Sequence, residues 1–157
     1  MSIVFIALGS NLGKRSFYIK EAIKRLQEEG LELLAKSSLI ETQPYGVTDQ
    51  PNFINAVISM KTSLEPQVLL QLLLQIEQEL GRVRKRHWGE RTIDLDLLFY
   101  DEVILQEKNL ILPHPDLQNR DFVLGPLVEI APNLRHPVLG ITAKDLLLNL
   151  KNGAEKR

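Results

Sequence analysis

The sequence predicts an α+β fold, an antiparallel sheet whose elements run in the order β-α-β-β-α-β. Three observations carry that expectation. Apolar residues recur at helical spacing twice, at 19, 22, 23 and 26 and at 69, 72, 73, 76 and 80. Runs at about 2–9, 31–42, 53–62 and 91–100 read as strands. Glycines, prolines and polar clusters separate these runs.

The elements follow in order. Met1 to Leu8 has no basic n-region, and its apolar run is too short for a signal peptide or a membrane span, so it reads as a buried first strand. Gly9-Ser10-Asn11-Leu12-Gly13 turns the chain into a helix of about 15–29, closed by Gly30. Residues 31–42 alternate as one strand, and 42–52, with two prolines and a glycine, form a loop. Pro66 suits the first turn of a helix that ends at Gly81. A basic loop leads to the strand at 91–100. This order is the ferredoxin-like one, with the helices on one face of the sheet. Short elements fill the last third. Pro113-His114-Pro115 is an extended kink, 125–131 a helical piece, and Thr142 with Asp145 caps a final helix. Lys151 to Arg157 offers little to bury and is expected to be loose.

The chain of 157 residues is the size of one domain, and without repeats or linkers 1–157 reads as a single unit. Hydrophobic residues at 44% favour a packed core over disorder. A net charge of -1 gives no global field toward nucleic acid or membrane, so the basic cluster at 82–91 is a local device. The absence of cysteine excludes disulfides, thiolate metal sites and a cysteine nucleophile, and fits a cytoplasmic protein.

The most informative stretch is Arg91 to Tyr100. Apolar residues at 93, 95, 97 and 99 share one strand face, and Asp94 and Asp96 share the other. Residues two apart are roughly 6.5–7 Å apart along a strand, so the two carboxylates can converge on cations. An alternating strand with one polar face is also the ordinary pattern of a half-exposed sheet. Here Arg82, Arg84, Lys85, Arg86 and Arg91 stand close by in sequence, and acid beside base suits chemistry on a polyphosphate.

Other constellations have a plain reading beside the functional one. Gly9 to Arg15 lies between strand and helix but lacks the Walker A ending, so a simple turn is favoured over a phosphate loop. Arg82 and Arg84 offer planar donor forks to phosphate, or belong to a solvated loop. Trp88, the only tryptophan, sits among glycines and charges, where it either covers a ligand or contacts single-stranded nucleic acid. His114, fixed between two prolines, and Arg120 make a second phosphate-contacting cluster or a structural one. Phe122 is a ring face for a flat ligand or a core residue. Thr42, Pro44, Tyr45, Gly46, Phe53 and Asn55 combine aromatic surface with an amide that can donate and accept, as recognition of a heterocycle requires.

These residues together resemble the 6-hydroxymethyl-7,8-dihydropterin pyrophosphokinase family. The likeness runs from Ile6-Ala7-Leu8-Gly9-Ser10-Asn11-Leu12 to about residue 137. Its most specific segment is Gly81-Arg82-Val83-Arg84 through Trp88-Gly89-Glu90-Arg91-Thr92-Ile93-Asp94-Leu95-Asp96. The resemblance implies transfer of diphosphate from ATP to the hydroxymethyl group of 6-hydroxymethyl-7,8-dihydropterin, giving AMP, in folate biosynthesis. It implies two Mg2+ ions on Asp94 and Asp96. Arg82 and Arg84 would act from a mobile loop, with Trp88 sealing the site. Arg91, His114 and Arg120 would contact phosphates, Glu77 would lie on the nucleotide side, and Leu97 and Ile111 would line the adenine site. Gly9, Thr42, Pro44, Tyr45, Phe53 and Asn55 would form the pterin pocket, with Phe122 stacked on the pterin. No obligate protein partner is implied. The chain departs from some relatives at Gln43-Pro44, at Leu74, at Pro115 and in a shorter loop between Lys85 and Trp88.

Two other classes compete. A regulatory ATP-binding module on the same scaffold would bind nucleotide and release no AMP. A single-stranded nucleic-acid binder would use the basic loop and Trp88, against repulsion from Asp94 and Asp96.

Overall fold

A computed structural model of the chain describes residues 1–43, 51–81 and 92–155. β1 (Ser2–Ser10) leads to α1 (Arg15–Glu28), then β2 (Glu32–Lys36), β3 (Ile40–Thr42), β4 (Phe53–Thr62), α2 (Pro66–Glu79) and β5 (Asp94–Tyr100). A small hairpin follows, β6 (Leu105–Glu107) and β7 (Leu110–Leu112). A 3-10 turn (Leu117–Asn119), α3 (Asp121–Ile130) and α4 (Ala143–Glu155) complete the described chain. The main sheet has the order β2-β4-β1-β5, with β3 added along the start of β4. All its pairings are antiparallel. This is the predicted ferredoxin-like order.

The predicted helical stripes are the ones buried. Ile19, Ala22, Ile23 and Leu26 of α1 meet Leu69, Leu72, Leu73 and Ile76 of α2 in a core with Val4, Ile6 and Leu8 of β1. Fully burying one such side chain stabilises by roughly 1.5–3 kcal/mol. Pro66 stands in the first turn of α2, where its missing N–H costs nothing. Gly81 ends α2 with φ +80, a conformation other residues adopt only under strain.

The opposite face of the sheet is not bare. α3 and α4 pack there, placing Val123, Leu124, Leu127, Ala143 and Leu146 against Phe5, Val57, Leu98 and Phe99 in a second core. The short C-terminal elements thus cover the site face of the sheet in part and leave an opening at one end.

Three expectations are corrected. The strand at 31–42 is two strands. Ser37 Oγ accepts the Val57 N–H at 2.9 Å, and Ser38 turns to Glu129 of α3, bonding through both its N–H and its hydroxyl. These side-chain bonds replace the ladder between β2 and β3. In β5 the alternation holds only to Leu97. Ile6 faces Leu97 and Phe5 faces Phe99, so Leu98 is an extra residue, a bulge. Phe99 therefore joins Leu98 in the second core, not Leu95 and Leu97 in the first. Of the expected loose tail, Lys151 to Glu155 is helical, because Leu146, Leu147 and Leu150 anchor α4 on the second core, and residues 156 and 157 lie outside the described residues. Among the described residues no helix is long and apolar enough to cross a membrane.

Candidate functional site

A cavity of about 190 Å³ opens on the sheet face shared with the second core. Its floor is read across four strands. Thr42 of β3 pairs with Phe53 of β4; Asn55 of β4 pairs with Gly9 of β1; Gly9 pairs in turn with Asp94 of β5, and Ala7 with Asp96. Neighbouring strands lie about 4.8 Å apart, so Asn55 and Asp94 face each other across roughly 10 Å of floor with only Gly9 between them. All of these residues line the cavity, together with His114, Arg120 and Phe122.

Gly9 is needed here for space. A Cβ at this position would stand 3.0 Å from Asn55 Oδ1 and 3.5 Å from a carbon of the Phe53 ring. Asn55 is buried, and its amide nitrogen donates to Thr42 Oγ1 at 2.5 Å. The Oδ1 end faces the Gly9 floor. This half of the cavity is uncharged, with an amide, a hydroxyl and a ring.

The other half is charged. Asp94 and Asp96 are half-buried on β5. Arg120 Nη1 lies 4.0 Å from Asp96 Oδ2, and its Nε donates to Asp116 Oδ2 at 3.2 Å. Its guanidinium carbon is 5.9 Å from the centre of the Phe122 ring. Asn119 and Arg120 hold the Asp116 carboxyl below the usual carboxylate range. His114 hangs from the β5 bulge, its N–H donating to Leu98 O at 2.9 Å. The Asp116 N–H donates to His114 Nδ1 at 3.2 Å, so the ring proton sits on Nε2. Burial, then Arg120, pushes the His114 pKa down to about 4, and the ring is neutral at pH 7.

Among the described residues no group of three or more His, Asp and Glu side chains could hold a metal. Two carboxylates alone are a poor donor set for zinc. They do fit magnesium, which keeps its waters and completes its shell with substrate phosphate.

Three residues expected on the nucleotide side do not line this cavity. Glu77 is buried on α2 and its carboxylate accepts the Leu95 N–H at 2.8 Å. β5 is the edge strand of the sheet, and this bond holds its backbone between the two aspartates. Leu97 is buried in the first core, and Ile111 is exposed on β7. Pro44, Tyr45, Arg82, Arg84, Trp88 and Arg91 lie outside the described residues. Sequence reasoning missed Asp116, which holds both Arg120 and His114. Its spacing four residues before Arg120 is the one local signal that was available. It also missed Gln43, Ala7 and Val123 on the cavity wall.

The family model for 7,8-dihydro-6-hydroxymethylpterin-pyrophosphokinase (HPPK) matches residues 5–132. The 2-amino-4-hydroxy-6-hydroxymethyldihydropteridine pyrophosphokinase of Aquifex aeolicus is 45% identical over 138 residues, 88% of this chain and 86% of that protein. The folic acid synthesis protein fol1 of Pneumocystis carinii is 47% identical over 139 residues, and there the chain spans only 19% of the relative. Among solved structures, the Plasmodium falciparum HPPK-DHPS with pteroate superposes with a TM-score of 0.81 at 17% identity, over 99% of this chain and 45% of that one. That likeness bears on the fold.

Proposed function

The chain belongs to the 7,8-dihydro-6-hydroxymethylpterin-pyrophosphokinase family and is an ATP-dependent diphosphotransferase of folate biosynthesis; from that premise we propose how its residues divide the work. The pterin occupies the uncharged half of the cavity. Asn55 and Thr42 meet its polar edge, Gly9 lets it lie close to the sheet, and Phe53 and Phe122 supply apolar surface. Pro44 and Tyr45 complete that pocket.

The triphosphate occupies the charged half. Arg120 and the Nε2–H of neutral His114 donate to phosphate oxygens, with Arg82, Arg84 and Arg91 adding positive charge. Asp94 and Asp96 would hold a pair of magnesium ions, whose charge would offset that of the phosphates. Glu77 keeps the aspartate backbone in register. Trp88 excludes water over the loaded site, and Leu97 and Ile111 lie toward the adenine.

The pterin hydroxymethyl oxygen bonds to the β-phosphorus of ATP, the bond from that phosphorus to the α-phosphate oxygen breaks, AMP leaves, and the hydroxyl proton passes to solvent. The charge that builds on the transferring group is what the arginines meet, and no side chain needs to form a covalent bond. The observation that carries this reading is the register Asn55–Gly9–Asp94, which sets an amide pocket directly beside an acid pair. The test is incubation with Mg-ATP and 6-hydroxymethyl-7,8-dihydropterin. AMP and a pterin diphosphate are expected. ADP with a pterin monophosphate refutes the assignment, and absence of pterin-dependent turnover points to a binding module.

A further inference from the structure

We propose that Arg15 is a positioning residue for the pterin half of the site, a role that rests on the pterin reading above. Arg15 opens α1 and is not among the residues that line the cavity. One guanidinium nitrogen, Nη1, donates to the Asn52 carbonyl at 2.7 Å and reaches Glu41 Oε1 at 3.4 Å. Glu41 lies on β3 between Ile40 and Thr42, and Asn52 immediately precedes Phe53 on β4. A single cation therefore joins the end of β3 to the start of β4.

Two of the pocket's side chains depend on that separation. Thr42 and Asn55 bond to each other from opposite strands, and Phe53 pairs with Thr42. β3 is only three residues long, so its own ladder holds it weakly. A second tie strengthens the β4 side, where Asn11 Nδ2 donates to Pro51 O at 3.0 Å. The ties start from the turn after β1 and from the first residue of α1, and both end on the two residues before Phe53. The β1-to-α1 turn thus acts as a bracket for the pterin pocket, in place of a phosphate loop.

The bond to Asn52 is charge-assisted and short, whereas the Glu41 contact is long and Glu41 is exposed. Arg15→Ala should then weaken pterin binding by about 5–10-fold, with Glu41→Ala costing about twofold or less. Arg15→Lys should restore part of the loss, because the ammonium keeps the charge and can donate to the Asn52 carbonyl but stands on a shorter side chain than Nη1.

The experiment is titration of 6-hydroxymethyl-7,8-dihydropterin in saturating magnesium and a non-hydrolysable ATP analogue, beside titration of the analogue alone, for wild type and the three variants. Thermal melts accompany each protein. The proposal predicts a pterin-specific loss in the order Arg15→Ala, Arg15→Lys, Glu41→Ala, with analogue affinity and Tm close to wild type. Equal losses for both ligands, or a pterin affinity that does not move, overturns it. A fall in Tm that tracks the loss of affinity also overturns it, in favour of a purely structural role. If wild type binds no pterin at all, the pterin reading itself has failed, a result distinct from any variant effect.

Discussion

Thr42, Phe53 and Asn55 on one half of the cavity floor carry no charge, while Asp94, Asp96, His114 and Arg120 on the other half form a polar network. The strands beneath belong to one sheet, and from Ala7 to Gly9 the register of β1 with both neighbours is regular. The halves differ in how their side chains are held. Asn55 is fixed by its neighbour on β3, a contact within the sheet. Arg120 and His114 are fixed by Asp116 and by the Leu98 carbonyl, contacts that the C-terminal elements bring in from outside. The uncharged half is thus tied within the sheet, whereas Arg120 and His114 are brought to the sheet's aspartates by the C-terminal elements.

The largest effect should come from the charged half. Asp94→Ala and Asp96→Ala are each expected to lower kcat by roughly 100–1,000-fold, the usual cost of removing one preorganised electrostatic group. Thermal melts should show little loss, since both side chains are half-exposed. Near-normal turnover in magnesium would remove these acids from the chemistry and collapse the contrast between the halves.

The uncharged half should respond in affinity more than in rate. Asn55→Ala removes a buried amide and leaves Thr42 without its partner, at a cost of about 1–3 kcal/mol in pterin binding. Gly9→Ala is the sharper probe, because its added Cβ presses on Asn55 Oδ1 and leaves Asp94 untouched. A pterin KM raised several-fold, with ATP KM unchanged, is the expected result. If both KM values rise together, the halves are not independent.

A separate effect, on stability and not on substrate, concerns pH. His114 has a folded pKa near 4, below its unfolded value near 6.5. Protons then bind the unfolded chain first, so the stability it contributes is full above pH 6.5 and is lost as pH falls toward 4. Melting wild type and His114→Asn from pH 7.5 to 4 should show the wild-type advantage shrinking through that window. A constant difference would mean that His114 is not held neutral by its surroundings.

Much of this molecule was legible in local sequence. Ile19, Ala22, Ile23 and Leu26 are buried as their spacing required, and Asp94 and Asp96 share the cavity face as alternation required. What was not legible depends on residues far away in the chain. The break between β2 and β3 is made by Ser37 bonding Val57 and by Ser38 bonding Glu129, 91 positions on. The order of 151–155 depends on apolar partners of α4 that no local pattern displays. The role of Arg15 depends on Asn52, 37 residues later, and a lone surface arginine has no signature in sequence. The bulge at Leu98 was hidden for another reason. Leucine, phenylalanine and tyrosine in succession are apolar on either count, so the run gives no sign of where the alternation slips.

That slip gives β5 two parities. Residues up to Leu97 are counted against β1 in one phase, and residues from Phe99 onward in another. The extra residue uncouples them, so a change in how α3 and α4 seat on Phe99 need not rotate Asp94 or Asp96 away from the cavity. It also turns out a carbonyl, and that carbonyl carries His114. Removing Leu98 would therefore do more than shorten a strand. The acids would keep their places, the histidine would lose its mooring, and Phe99 would be driven into a core already filled by α1 and α2.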